Sequence, residues 1–288
     1  MNKIKPYIYV FPAVFVVFLL STIAFLNLLK QSLGYFPQVG LTNYTLNYYI
    51  ETFKEGSFRA SLYFSLYTAF LSAILSMILG IIFSYILVVN DKENKYLDLI
   101  YKLPIFLPHT IIAFCIYNLI SKTGLISRVL FNIGIINDFS NFNFFSFYDN
   151  GIGIILAYIF KQVPFVCFLL YIIMKKIDKE YKDMSLNLGA SKTYYFFRVL
   201  LPLCKNSLLS TFLMIFSYSL FAYEIPALLG GAKIKALPVL AYLKYSVSDL
   251  RLRPYSMVIN SIMVFISFFM IYIYSKLSKN DKFSPKSK

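Results

Sequence analysis

Three polar side chains fall where polarity is costly. Glu224, Lys161 and Gln162 all lie inside long apolar stretches. An ionisable group held in hydrocarbon must pair, face water or serve a transport route. Glu224 is the candidate for a translocation pathway or gate, weighed against a packing role. Lys161 and Gln162, just before Pro164, are candidates for the same route; Lys161 either pairs with Glu224 across a helix bundle or extends its stem to an interface. Asn118 and Asn260 suit bonds between helices. Other chemistry is sparsely supplied. The single histidine, His109, follows Pro108 and reads as a helix entry. One histidine excludes paired-His metal sites and HExxH catalysis. Cys115, Cys167 and Cys204 have no CxxC spacing and read as inert thiols in apolar surroundings. There is no Walker A pattern, no GxSxG and no glycine-rich phosphate loop, so no catalytic residue is assigned.

These residues need hydrophobic spans to hold them. Of 288 residues, 59% are hydrophobic and 14% charged, against roughly half and a quarter in a soluble globular protein. Yet the net charge is +15, from 28 Lys and Arg against 13 Asp and Glu. A nucleic-acid-binding domain gathers its basic residues on a solvated face. Here they cluster between uncharged runs, the pattern of a polytopic membrane protein, and nucleic acid is not an expected partner. A bilayer core about 30 Å thick takes about 20 helical residues. Six stretches qualify: residues 7–29, 61–89, 103–120, 151–174, 207–229 and 255–274. They lack the alternation of barrel strands, and an open sheet leaves its backbone unsatisfied in lipid, so helices are expected.

The expected fold class is therefore an all-α polytopic membrane protein with six transmembrane helices. Residues 1–29 hold the N-terminal region and first span, and 30–57 form an external loop. Residues 58–276 form the core, and 277–288 a basic tail near anionic lipid. Lys and Arg number 17 on one set of flanks and 10 on the other. The positive-inside rule then puts both termini in the cytoplasm.

The longest internal loop on the basic side reads KKIDKEYKDMSLNLGASKTYYFFRVLLPLCK, residues 175–205. Residues 178–188 contain good helix formers. Gly189 suits the left-handed residue that ends a helix. Ser191 can cap a second helix running to about Leu200, before Pro202. Tyr181, Met184, Leu188, Phe196 and Val199 put apolar surface on faces with no bilayer to enter. Two readings stay open: docking into another protein, or lying flat on lipid headgroups.

Residues 177–202 resemble the EAA loop of permease subunits from binding-protein-dependent ABC importers. That pattern reads approximately I-P-x-E-x-x-E-A-A-x-x-L-G-A-S, then x4-F-x-x-V-x-L-P. The matches are Ile177, Glu180, Leu188, Gly189, Ala190, Ser191, Phe196, Val199, Leu201 and Pro202. Asp183, Met184 and Ser185 stand where Glu-Ala-Ala is usual, with Asp183 keeping the negative charge, and Asp178 replaces a proline. The resemblance extends over about residues 58–276. FAYEIPALLGG (221–231) followed by LPVLAYLKYS (237–246) is most similar to the branch moving polyamines, sulfate, ferric iron, thiamine or phosphonates.

The resemblance implies a type I permease whose loop between the fourth and fifth spans is a cytoplasmic coupling helix. Its coupling residues would be Glu180, Asp183, Leu188, Gly189, Ala190, Ser191, Phe196 and Pro202. It implies four partners: an ATP-binding cassette ATPase dimer, a second permease, an extracytoplasmic solute-binding protein and the lipid bilayer. The second permease is a different chain in the systems most resembled, with a homodimer as the alternative. This chain would carry no cofactor, ATP and Mg belonging to the ATPase, and would sit in a bacterial cytoplasmic membrane. The competing classes are a secondary carrier or channel, for which an inverted repeat would speak, and a membrane enzyme, for which one histidine is a poor endowment.

Overall fold

A computed structural model describes residues 5–90, 103–138, 147–177 and 179–279. Among these the regular structure is helical, with a single isolated bridge between Phe36 and Leu41. Five helical stretches are long and apolar enough to span a bilayer, and a sixth span results if one bent pair counts as one. This is the all-α polytopic architecture expected from hydropathy. The basic tail expected at 277–288 lies outside the described residues from 280 onward.

The chain divides into two compact units. The first comprises the described parts of Met1–Arg59 together with Pro238–Ile266. It holds α1 (Lys5–Ser32), α2 (Asn47–Lys54) and the start of α3 (Gly56–Asn90). The side chains of α1 are apolar and exposed for most of its length. Residues 30–57 bond to the Pro238–Ile266 segment of the same unit. The Tyr49 hydroxyl bonds with Ser32 and Ser261, both at 2.8 Å, and Glu51 accepts a hydrogen bond from the Tyr255 hydroxyl. Glu55 meets the Lys244 ammonium at 2.6 Å.

Burial acts to raise the Glu55 pKa, but hydrogen bonds from Lys244 and Ser57 and the Lys244 charge outweigh it and hold the carboxyl below its usual 4.5. A depressed carboxyl contributes stability above its unfolded pKa and loses it as pH falls through the folded value. The melting-temperature gap between the wild type and Glu55→Gln should therefore be constant above about pH 5.5 and close below about pH 4.5. A gap that is flat down to pH 3.5 would show that the pair contributes nothing.

The second unit comprises Ala60–Leu237 and the described part of Ser267–Lys288. In it α3 and α6 (Ile152–Lys176) pack closely. Gly80 allows the close approach: a Cβ built there would lie 2.4 Å from Val166 Cγ1. Ser76, Ser84 and Ala73 flank it on the same buried face.

Two helix breaks set where the polar residues sit. The third apolar stretch does not run unbroken from Leu103. Residues 103–106 form one helical turn, and α4 (His109–Ile120) begins after Pro108, which is extended at ψ 145°. A short α5 (Leu125–Asn132) follows it. The fifth stretch likewise does not continue to Leu229. Its helix, α9 (Lys205–Phe221), ends at Ala222, and a separate α10 covers Glu224–Leu229. Pro226 is the cause: it lacks the N–H that would bond to the Ala222 carbonyl, and its ring would collide with that group. Glu224 thus lies in the first turn of a new helix, where a negative charge suits the helix dipole. It is not inside the fifth span as the apolar run suggests. The remaining helices are α11 (Leu237–Tyr245) and α12 (Arg253–Lys279).

Candidate functional site

The loop between α6 and α9 is two helices and a hinge. The first, α7, covers Lys179–Asn187, with Asp178 and the Glu180 side chain outside the described residues. Its end is a paired cap: Gly189 N–H donates to Leu186 O and Ala190 N–H to Ser185 O, each at 3.0 Å. This is the Schellman arrangement, and it needs the left-handed residue that Gly189 supplies at φ +83°. The second helix, α8, covers Lys192–Leu203. Ser191 caps it by accepting from Tyr194 N–H at 3.1 Å. It does not stop before Pro202. The residues 196–200 take wider π turns, and the helix resumes over Leu201–Leu203 with Pro202 near its start. Between α8 and α9 the axis bends by 70°.

The hinge has a firm side and an open side. Phe196 is fully buried, its ring edge-on to Tyr85 of α3 at 5.1 Å. The Tyr85 hydroxyl bonds with Thr193 at 2.9 Å. On the other side Tyr181, Met184 and Leu188 are exposed, Leu188 at 86%. Asp183 is exposed as well. The sequence reading passed over Tyr85; an aromatic hydroxyl near the basic end of the second span was the available signal.

The second cluster lies in the middle of the apolar helices. Lys161 is nine residues into α6, about 14 Å along its axis. Its ammonium donates to the Leu107 carbonyl. That carbonyl is free because Ile111 N–H, its regular helical partner, bonds instead to Pro108 O, which also takes Ile112 N–H. Lys161 therefore answers a helix break, and Glu224 takes another partner: its Oε2 is 3.6 Å from His109 Nδ1. His109 in turn lies beside Tyr218, with ring centroids 5.0 Å apart.

Gln162 is buried and bonded at both ends of its amide. Ser76 donates to its Oε1 at 3.1 Å, and its Nε2 donates to Ser219 Oγ and to Ile215 O. Three helices (α3, α6 and α9) are pinned by this one side chain. Tyr158 reinforces the same junction by donating to Ser219 O at 3.1 Å. Between α6, α9 and the start of α4 is a cavity of about 320 Å³ whose walls include Lys161, Gln162, His109, Tyr158 and Tyr218. Asn118 and Asn260 bond to carbonyls one turn back in their own helices, Phe114 O and Ser256 O.

A model of the family described as binding-protein-dependent transport system inner membrane component matches residues 76–280. The chain belongs to that family. The matched region contains the capped hinge, the Lys161 cavity and the α10 break. Among inner membrane components of such systems, the chain is 30% identical over 83 residues to the spermidine/putrescine permease PotB of Haemophilus influenzae, 29% of each chain. It is 24% identical over 188 residues to the sulfate permease CysT of a Synechocystis strain, covering 64% of this chain and 61% of that one. It is 33% identical over 94 residues to the molybdate/tungstate permease WtpB of Methanocaldococcus jannaschii, covering 32% and 37%. The chain thus spans less than two thirds of the length of these curated relatives. In fold, it superposes with TM-score 0.78 on a chain of a bacterial ABC transporter that imports alginate. The two are 15% identical, with 97% of this chain and 98% of that one covered. A chain of the MetNI methionine ABC transporter gives TM-score 0.56 at 13% identity, covering 76% and 93%. The fold is that of type I importer permeases.

Proposed function

We propose that this chain is a permease subunit of an ATP-driven importer, coupled to a separate ATPase through the loop at residues 177–202. The observation that carries the coupling is the capped hinge. Its inner side is fastened to α3 through Tyr85, and its outer side leaves Tyr181, Met184 and Leu188 exposed. An apolar helix face of this kind is what a partner's cleft accepts. In this reading the ATPase dimer carries ATP and Mg, and this chain performs no catalysis. Closure of the ATPase would move α7 and α8 as a rigid body. The bend at residue 204 would pass that movement to α9, switching between inward- and outward-facing states. The chain would work in a bacterial cytoplasmic membrane with both termini inside, pairing with a second permease and receiving solute from an external binding protein.

Family membership is what supports these partners. One neighbour in fold is described in complex with an alginate-loaded periplasmic protein, and another as a transporter with inward-facing conformations. The solute route is read through Lys161, Gln162 and Glu224. The relatives' names cover cationic polyamines and anionic sulfate and molybdate alike, so membership leaves the solute's charge open.

The test is co-purification. With the cognate ATPase co-expressed, Met184→Asp combined with Leu188→Asp should abolish its recovery with the permease from detergent extracts. The permease itself should still insert in the membrane. Undiminished recovery of the ATPase would overturn the docking role of this face.

A further inference from the structure

We propose that the cavity beside Lys161 is a passage site for a small oxyanion, a solute bearing a carboxylate, sulfate or phosphate group. This rests on the importer reading above and adds the chemical class of its solute.

Several polar groups around the cavity are already engaged within the protein. Among the described residues lining the cavity, no carboxylate is present, and Lys161 is the group that carries a fixed charge. Gln162 Oε1 is taken by Ser76, and the Leu107 carbonyl beside the cavity is taken by Lys161. The Glu224 carboxylate is turned to His109 and is not part of the lining. Gln162 Nε2 and the Tyr158 hydroxyl donate within the protein and have nothing left to give.

Two donors remain. An ammonium has three N–H groups, and Lys161 gives one to Leu107, leaving two for a ligand. The Tyr218 hydroxyl has no hydrogen bond among the described residues, and its ring borders the same cavity. A cation entering here would meet the Lys161 ammonium, while Glu224 stands outside the lining. An anion would meet a positive charge and unspent N–H groups in apolar walls, where charge-assisted hydrogen bonds are strong. The volume, about 320 Å³, is at the small end of ligand sites, which run roughly from 300 to 1,000 Å³. A solute of a few heavy atoms fits that space.

The experiment uses the complete transporter, purified in detergent with its ATPase and second permease. Thermal shifts would be recorded with sodium sulfate, sodium phosphate, sodium succinate, putrescine dihydrochloride and maltose at constant ionic strength. At least one of the three oxyanions should raise the melting temperature. Lys161→Met should raise its half-saturating concentration at least tenfold, and Lys161→Arg should largely retain binding. Stabilisation by putrescine or maltose alone, no shift with any oxyanion, or an oxyanion shift unchanged in Lys161→Met would each overturn the proposal. ATP hydrolysis stimulated by the binding protein, measured on the same wild-type preparation, separates the two readings. Stimulated hydrolysis without an oxyanion shift sinks the anion site alone, whereas an oxyanion shift without ATP coupling sinks the importer reading.

Discussion

Gly189→Val should reduce ATP-dependent transport at least tenfold while leaving the protein inserted and its spans folded. The glycine sits at φ +83° with no atom within 4 Å of a built Cβ. A side chain therefore meets no neighbour, and the penalty is backbone strain. A left-handed conformation costs an ordinary residue roughly 1–2 kcal/mol, and a β-branched one suits it least. If the turn opens to relieve that strain, Ala190 N–H and Gly189 N–H lose their carbonyl partners on α7. The register between α7 and the Ser191 cap of α8 is then lost. Gly189→Asn is the control. Asparagine tolerates the left-handed region, so it should keep most of the activity despite its larger side chain. Uptake in proteoliposomes, normalised to the amount of inserted protein, measures both. Equal activity of the valine variant and the wild type would show that the turn need not be rigid for coupling.

Gly80→Val should lower the melting temperature sharply and lose most folded protein in detergent. A built Cβ lies 2.4 Å from Val166 Cγ1 and 2.7 Å from Val166 Cβ. The obstacle is thus the root of a stiff, branched side chain. The helices α3 and α6 must move apart, at a cost of roughly 1–3 kcal/mol from overpacking alone. The same movement strains the bond from Ser76 to Gln162, and an unsatisfied buried group adds about 1–3 kcal/mol. Val166→Gly in the same chain should restore much of the loss, since it removes the colliding atoms. A double variant no more stable than Gly80→Val would place the damage elsewhere than this contact. Fluorescence-detected size-exclusion after heating gives the comparison.

Features written in neighbouring residues were legible in the sequence. Hydropathy marks the spans, because a helix in lipid must be apolar over about 20 residues whatever it packs against. The hinge was legible for the same reason of locality. Gly189 and Ser191 are caps, and a cap is satisfied by residues within one turn. Pro108 was readable as a helix entry. Pro226 carries an equally local signal, but the apolar run through Leu229 conceals it, and the run alone does not show that Glu224 opens a separate short helix.

The sequence by itself determined an all-α membrane protein with a capped helical hinge on its basic side, because apolar length, positive flanks and caps act within a single segment. Only the tertiary structure decided the partners of the polar residues. Lys161 answers the Leu107 carbonyl 54 residues away, and Gln162 joins Ser76 to Ser219 across three helices. Glu224 turns to His109, a histidine the sequence marked only as a helix start. Each of those choices depends on which carbonyl a helix break leaves free and which face a neighbouring helix presents, and no single segment contains that information.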